Sequence, residues 1–139
     1  MKTLKILGAS LFVAALIFAC GKEKNNDIIG TWTISELHST ADIPDDAKAN
    51  YEESMEDYKK TYLLIIKPDS TFEHTISETT SEGKWDLSPD TKTLTLVYGN
   101  GEKEVSNVIE LSEDKMVTSV EFNDATNTIT FVKKKEEKE

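Results

Sequence analysis

Short alternating segments separated by turn sequences fill this chain from residue 28 onward, and they constrain its fold more than any other feature. In the first segment, Trp32 and Ile34 alternate with hydroxyl residues, which is the period of two shown by a half-buried β-strand. Similar segments follow at intervals of about 8 to 12 residues, a spacing typical of all-β folds. The eight predicted strands cover residues 29–37, 62–67, 71–77, 82–87, 93–98, 103–111, 116–122 and 127–132.

Most connections between these strands are short, which decides how the sheet is arranged. The Asn-Gly step at 100–101 is a strong hairpin signal. In the sixth strand the apolar positions, Val105, Val108, Ile109 and Leu111, break the alternation once, which predicts a bulge near Asn107. Consecutive hairpins favour an antiparallel up-and-down barrel, because closure removes the exposed edges. A β-sandwich is the alternative, although it usually needs longer connections between its sheets.

Only the first two strands are joined by a longer segment, and that segment has a helical pattern. Its apolar and aromatic residues recur at steps of four, four, three and four: Ala47, Tyr51, Met55, Tyr58 and Tyr62. We expect Asp45 and Asp46 in the first helical turn and Lys59 and Lys60 in the last, which matches the helix dipole. The helix is expected to cover one open end of the sheet. Its stripe of Tyr51, Met55 and Tyr58 either packs as plain core or forms a lid over a ligand.

The first 19 residues have the pattern of a secretory signal. Lys2 and Lys5 precede an apolar run that is shorter than the roughly 20 residues a membrane-spanning helix needs. The run ends at Ile17-Phe18-Ala19-Cys20, which resembles the lipobox of bacterial lipoproteins and contains the only cysteine of the chain.

This resemblance implies a signal peptide at 1–19, an acylated Cys20 and a polar tether at 20–27. The acyl chains would anchor the protein in the bacterial cell envelope, on the periplasmic side or the surface of the outer membrane. An ordinary secreted protein with a free cysteine is the alternative.

The composition and the sparse histidines exclude several functions. The formal net charge is −10 and no arginine occurs, so a nucleic-acid partner is not expected. Neither His38 nor His74 has a metal-binding partner two or four residues further along its own predicted strand, and no metal or cofactor is expected. No nucleophile elbow, phosphate loop or cysteine–histidine pair is present, so the protein is not expected to be an enzyme. His74 is expected in the barrel wall, hydrogen-bonded or facing a ligand.

Gly30-Thr31-Trp32 resembles the Gly-x-Trp signature of the lipocalins, and Gly83-Lys84-Trp85 repeats it 53 residues later. The mature chain is similar to the small lipocalin-like lipoproteins of Bacteroidota-type bacteria. The resemblance implies a barrel over residues 28–133 with Trp32 on its floor, followed by a charged tail at 134–139. Animal lipocalins place an arginine against this tryptophan, so Lys133 or Lys134 would have to cover it here.

The same resemblance implies an interior that takes small apolar molecules. The residues expected on the barrel floor or facing a ligand are Trp32, Phe72, His74, Trp85, Tyr98, Phe122 and Phe131. The favoured function is a lipid-anchored, monomeric barrel that binds or carries a small apolar or amphiphilic molecule. The alternatives are a non-catalytic interaction or structural module with a side-chain-filled barrel, and an enzyme in which His74 would be the base.

Overall fold

Eight antiparallel strands form one closed barrel in the computed structural model, which describes residues 26–137. Each strand pairs with the next along the chain, and the last strand pairs with the first. The elements in chain order are a 3₁₀ turn η1 (Asn26–Ile28), β1 (Gly30–Ser39), α1 (Lys48–Thr61), β2 (Leu63–Ile66), β3 (Thr71–Ile76), β4 (Thr79–Leu87), β5 (Thr93–Tyr98), β6 (Lys103–Leu111), β7 (Lys115–Phe122) and β8 (Ala125–Lys133). The predicted up-and-down barrel is confirmed, and the sandwich alternative is wrong.

The predicted leader lies outside the described residues. This concerns the signal peptide at 1–19, Cys20 and the tether up to residue 25. Within residues 26–137, no helix has the length and apolar character needed to cross a membrane. The last two residues predicted for the tether, Asn26 and Asp27, belong to η1, where the Asn26 carbonyl accepts a hydrogen bond from the Ile29 amide at 3.0 Å. η1 therefore includes the last two residues of the predicted tether.

Alternation along the strands places every second side chain inside the barrel, where apolar residues form one core. The buried apolar residues are Ile28, Trp32, Ile34, Tyr62, Leu64, Ile66, Phe72, Trp85, Leu94, Leu96, Met116 and Phe131. Burial of these side chains is the main stabilising contribution to the fold.

Two bulges shift the alternation. The bulge predicted near Asn107 occurs between Val108 and Glu110, where the register of β6 against β7 shifts. A second bulge, between Ile34 and Glu36 in β1, was not predicted. It lets Leu37 join the partly buried side chains packed against the core while Glu36 stays exposed.

α1 begins later than predicted. Asp45 and Asp46 lie in a turn before the helix, so they do not occupy its first turn as expected. Ala47 occupies the N-cap and makes no side-chain capping hydrogen bond. The helix starts only where its aromatic face can pack on the barrel, because the segment before it has no cap to stabilise an earlier turn.

The end of α1 follows the prediction more closely. Lys59 and Lys60 lie in the last turn, as expected. Tyr62 has an extended backbone and is only 6% exposed, so it belongs to the barrel core and not to the helix face. No residue of α1 itself is buried, and the helix packs against β1 and β3. It therefore contributes little to the core and leans on one end of the barrel, which we call the mouth.

Candidate ligand site

The opposite end of the barrel, which we call the floor, is closed around Trp32. This side chain has no exposed surface, and its indole Nε1 donates a hydrogen bond of 2.8 Å to the Ile28 carbonyl in η1. Lys133 Nζ lies 4.8 Å from the centroid of the indole ring and donates a hydrogen bond of 2.6 Å to the Asp27 carbonyl. The expectation that a lysine covers Trp32 is confirmed, and the residue is Lys133. Burial lowers the pKa of this lysine.

The second Gly-x-Trp motif is built in a similar way. Trp85 is 2% exposed, and its indole Nε1 donates a hydrogen bond of 2.8 Å to the Lys67 carbonyl in the turn between β2 and β3. The only side-chain donor of each tryptophan is thus hydrogen-bonded to a backbone carbonyl at the floor. Glycine is required beside each. A Cβ on Gly30 would meet the Lys133 side chain at 2.9 Å, and one on Gly83 would overlap the Val97 carbonyl oxygen.

Side chains fill the floor half of the barrel. Four of the predicted site residues lie there and are at most 4% exposed: Trp32, Phe72, Trp85 and Phe131. The indole donors of Trp32 and Trp85 are already hydrogen-bonded, and all four rings belong to the cluster of buried apolar residues. These four side chains are core residues, so the floor is a packed base and not a place for a ligand.

The mouth is different, because a cleft of about 1340 Å³ lies between α1 and the barrel rim. The barrel contributes mainly β1, β7 and β8, and the helix contributes one face. The apolar part of the lining includes Leu37, Ile43, Met55, Val120 and Ile129. The stripe predicted as core or lid, formed by Tyr51, Met55 and Tyr58, lines this cleft and is only half-buried.

Phe122 corrects one part of the sequence interpretation. Alternation in the seventh strand placed it inside the barrel, but it is 68% exposed at the rim of the cleft. It pairs with Ala125 at the last register position before the hairpin turn, so no wall remains beyond it to enclose the ring. Phe122 is a residue of the mouth and not of the floor.

A polar group lies at the boundary between floor and mouth. The Tyr98 hydroxyl is 3.0 Å from Glu104 Oε2, to which it donates, and 3.0 Å from His74 Nδ1. Glu104 is half-buried and lines the cleft. Because the phenol has one proton and gives it to the carboxylate, Nδ1 of His74 must donate to the phenol oxygen. The other ring nitrogen, Nε2, is buried and has no hydrogen-bond partner among the described residues.

Burial and charge set the protonation of this group. His74 is 9% exposed, and burial lowers its pKa although Glu104 acts in the opposite direction. The imidazole is therefore neutral at pH 7, and Nε2 carries a lone pair. Burial and the charge of Glu104 raise the pKa of Tyr58 to about 12 and the pKa of Tyr98 well above its ordinary value. The pKa of Tyr62 is also raised, with burial as the main cause.

Ring contacts connect the cleft with the packed base. Tyr58, at the cleft, lies 5.4 Å from Tyr62, and Tyr62 lies 4.7 Å from His74 and 5.7 Å from Phe131, measured between ring centroids. These are ordinary spacings for tilted aromatic pairs. The helix face, the polar group and the floor are therefore in continuous contact.

Glu104 is the site residue that sequence reasoning missed. Val105 was counted among the apolar positions of the strand, which would turn Glu104 outward. Val105 is 54% exposed, and the inward positions are Glu104, Ser106 and Val108. The available signal was Tyr98 in the neighbouring strand, because a buried phenol needs a hydrogen-bond partner on the same face.

No group of three or more histidine, cysteine, aspartate or glutamate side chains within residues 26–137 could hold a metal ion. His38 lies exposed near the end of β1 and lines the cleft. It makes no contact with His74 that would assemble a histidine site in this part of the chain. The side chains that line the cleft offer apolar contact, hydrogen bonding and charge.

Solved structures share this fold, among them two proteins from Bacteroides. One is a DUF4847 family protein from Bacteroides vulgatus, which is 16% identical with a TM-score of 0.56, over 81% of this chain and 99% of that chain. The other is a lipocalin-like protein from Bacteroides uniformis, which is 14% identical with a TM-score of 0.51, over 78% of this chain and 99% of that chain.

At these identities the likeness concerns the fold alone. No curated protein sequence matches the chain. The sequence model of the lipocalin-like domain family matches residues 28–118, which include both Gly-x-Trp motifs, α1 and Glu104. The chain therefore belongs to the lipocalin-like domain family.

Proposed function

We propose that this protein is a non-catalytic, lipid-anchored lipoprotein of the bacterial envelope that binds or carries a small apolar or amphiphilic molecule in the cleft between α1 and the barrel mouth. The observation that carries the proposal is the cleft itself, about 1340 Å³ in volume, with apolar side chains in its lining from both α1 and the barrel. Ligand pockets commonly combine such a lining with a few polar groups that orient the ligand. Membership of the lipocalin-like family supports a barrel used in this way.

The division of the barrel supports binding at the mouth in particular. The packed floor holds the strands in place, while α1 has no buried residue and can move without opening the core. A ligand can therefore enter beneath the helix. The side-chain-filled alternative describes the floor half of this barrel and not the mouth.

The binding proposal is tested by filling the cleft. Val120 lines it, whereas Val105 is 54% exposed on the outer face of the barrel and does not. Nile red, a neutral dye whose emission rises in apolar surroundings, is titrated into full-length protein carrying Cys20→Ser. We expect Val120→Trp to weaken binding at least about tenfold, which corresponds to about 1.4 kcal/mol. The matched Val105→Trp variant should bind like the parent protein.

Circular dichroism and thermal unfolding establish that both variants remain folded. Equal affinity of the two variants for Nile red would place the dye outside the cleft. Failure of the parent protein to bind Nile red or any other apolar probe would remove the proposal.

The anchor is tested independently of the ligand. Mass spectrometry of protein isolated from the envelope of its own cells should show acyl chains on Cys20, and the protein should sediment with membranes. Cys20→Ser should abolish both properties. An unmodified cysteine in protein from the soluble fraction would favour the ordinary secreted alternative. Neither result changes the prediction for the cleft.

A further inference from the structure

Glu104 is an interior carboxylate without a cationic partner among residues 26–137. It projects from the inward face of β6 into the cleft lining and is half-buried. Its only hydrogen bond among the described residues is the one from the Tyr98 hydroxyl, which reaches Oε2. The ion pairs of the described chain involve Glu56, Glu73 and Glu110 instead. A carboxylate withdrawn from water in this way costs free energy that a bound cation would recover.

The groups around Glu104 are mainly hydrogen-bond acceptors and include few free donors. The Tyr98 hydroxyl is already committed to the carboxylate, and the adjoining His74, which is not in the cleft lining, carries a buried Nε2 with no hydrogen-bond partner among the described residues. His74 is neutral, so Nε2 is an acceptor. Glu104 therefore offers the cleft acceptor oxygens, which suit a ligand group that donates N–H or O–H hydrogen bonds.

The charges around the cleft have the same preference. Five carboxylates line it, against two lysines. The carboxylates are those of Asp42, Asp45, Glu52, Glu56 and Glu104, and the lysines are Lys48 and Lys59. Lys59 is paired with Glu56 at 3.0 Å, which leaves an excess of negative charge for an occupant to meet. An anionic ligand such as a fatty acid would be repelled, and a cationic one attracted.

We propose that the occupant of the cleft is an amphiphilic amine whose protonated nitrogen is held by Glu104 while its apolar part lies against the helix stripe and β7. This inference rests on the proposed function and specifies the class of its ligand. Tyr58, which lines the cleft above Tyr62, presents a ring on which an ammonium group can also rest. The amine therefore forms a hydrogen-bonded ion pair with Glu104, whereas an alcohol of the same length donates without a charge of its own and a carboxylate is repelled.

The test compares octylamine, octanol and octanoate, which share one chain length and differ only in the polar end. Isothermal titration at pH 7 and moderate salt uses the full-length Cys20→Ser protein. Because the ammonium group adds the attraction between opposite charges to its hydrogen bond, we expect octylamine to bind at least about tenfold more tightly than octanol, and octanoate to bind most weakly. Octanol or octanoate binding as tightly as octylamine would overturn the amine proposal and leave the binding function intact. If none of the three binds, both proposals fail.

Two glutamine variants locate the effect. Glu104→Gln keeps an acceptor for Tyr98 and removes the charge, so octylamine should lose its advantage while octanol binds within about twofold of its original affinity. Glu110→Gln makes the same charge change on β6, at a carboxylate 50% exposed and paired with Lys115. It should preserve the preference for the amine. An equal loss in both variants would show surface association of a cation with an acidic protein and would overturn the proposal. Should Glu104→Gln unfold the barrel, the three-ligand series on the parent protein decides alone.

Discussion

The two ends of this barrel are built from the same eight strands, yet one end is closely packed and the other contains an open cleft. At the floor, Trp32 and Phe72 are buried, and the indole donor of Trp32 is bonded to a backbone carbonyl. At the mouth, Tyr58 is half-buried beside a cleft, and Glu104 has no ion-pair partner among residues 26–137. The floor therefore contributes most of the stability of the fold, and the mouth holds the groups that are open to a ligand.

The bulge in β1 marks the boundary between these halves. Up to Ile34, inward residues of this strand belong to the core, and beyond the bulge Leu37 lines the cleft. Without the bulge, strict alternation would turn Glu36 inward and Leu37 outward. One extra residue thus keeps the apolar lining of the mouth continuous with that of the floor.

The largest expected effect comes from truncating one aromatic residue at each end. Trp32→Ala should lower the free energy of unfolding by about 3–5 kcal/mol, because it leaves a large cavity in the packed floor. Tyr51→Ala on the half-exposed face of α1 should cost less than about 1 kcal/mol. Urea unfolding followed by circular dichroism measures both. Similar losses would mean that the helix supports the core as much as the floor does.

Replacing a glycine by alanine should lower the stability more in the barrel wall than at the mouth. Gly83→Ala should destabilise the barrel by about 1–3 kcal/mol, since the new Cβ would overlap the Val97 carbonyl oxygen and lie 2.8 Å from Phe72. Gly99→Ala, in the turn at the mouth, is the control, because its Cβ would lie 3.7 Å from the nearest carbonyl oxygen. Thermal unfolding compares the two. A tolerated alanine at position 83 would contradict the close packing inferred there.

Lys133 allows a smaller test at the floor. Lys133→Ala removes the cation from the Trp32 ring and the hydrogen bond to the Asp27 carbonyl, and we expect it to cost about 1–2 kcal/mol in urea unfolding. Lys134→Ala should have almost no effect, because Lys134 bonds through its backbone amide to Thr31 and its side chain is exposed. Equal effects would show that general charge matters here and not the cover over Trp32.

The smallest expected effect is a pH dependence at the boundary. Burial lowers the pKa of His74 below its ordinary value near 6.5, so above that pH the imidazole is neutral in both folded and unfolded states. As the pH falls below 6.5, the unfolded chain takes up the proton more readily, and stability decreases. His74→Gln should remove this part of the decrease between pH 7.5 and 5, measured by urea unfolding, whereas His38→Gln at an exposed position should retain it. If the free energy of unfolding of His74→Gln depended on pH as in the parent protein, the decrease would have to be assigned to other groups.

The architecture was predictable because its signals are local. Alternation, the Asn-Gly hairpin and the doubled Gly-x-Trp motif each depend on a few neighbouring residues, and together they predict the closed barrel. The lysine over Trp32 was implied by the resemblance to the lipocalins, with Lys133 and Lys134 as the two candidates. The site was less predictable, because it depends on which face each residue occupies. Counting Val105 as an inward apolar residue concealed Glu104, and an unrecognised bulge in β1 concealed Leu37. A burial pattern can shift by one residue without any change in composition, and such a shift moves a carboxylate from solvent into the interior.

The start of the fold at the floor also sets an orientation. η1 lies at the closed end, beside Lys133, and six peptide steps separate Asn26 from Cys20, a reach of at most about 20 Å. With Cys20 acylated as we propose, the floor would stand within about 20 Å of the lipid headgroups. The cleft would open at the far end of strands that are tilted across a barrel roughly 20 Å tall. The protein would then collect its ligand from the aqueous side and not from the leaflet that holds its anchor.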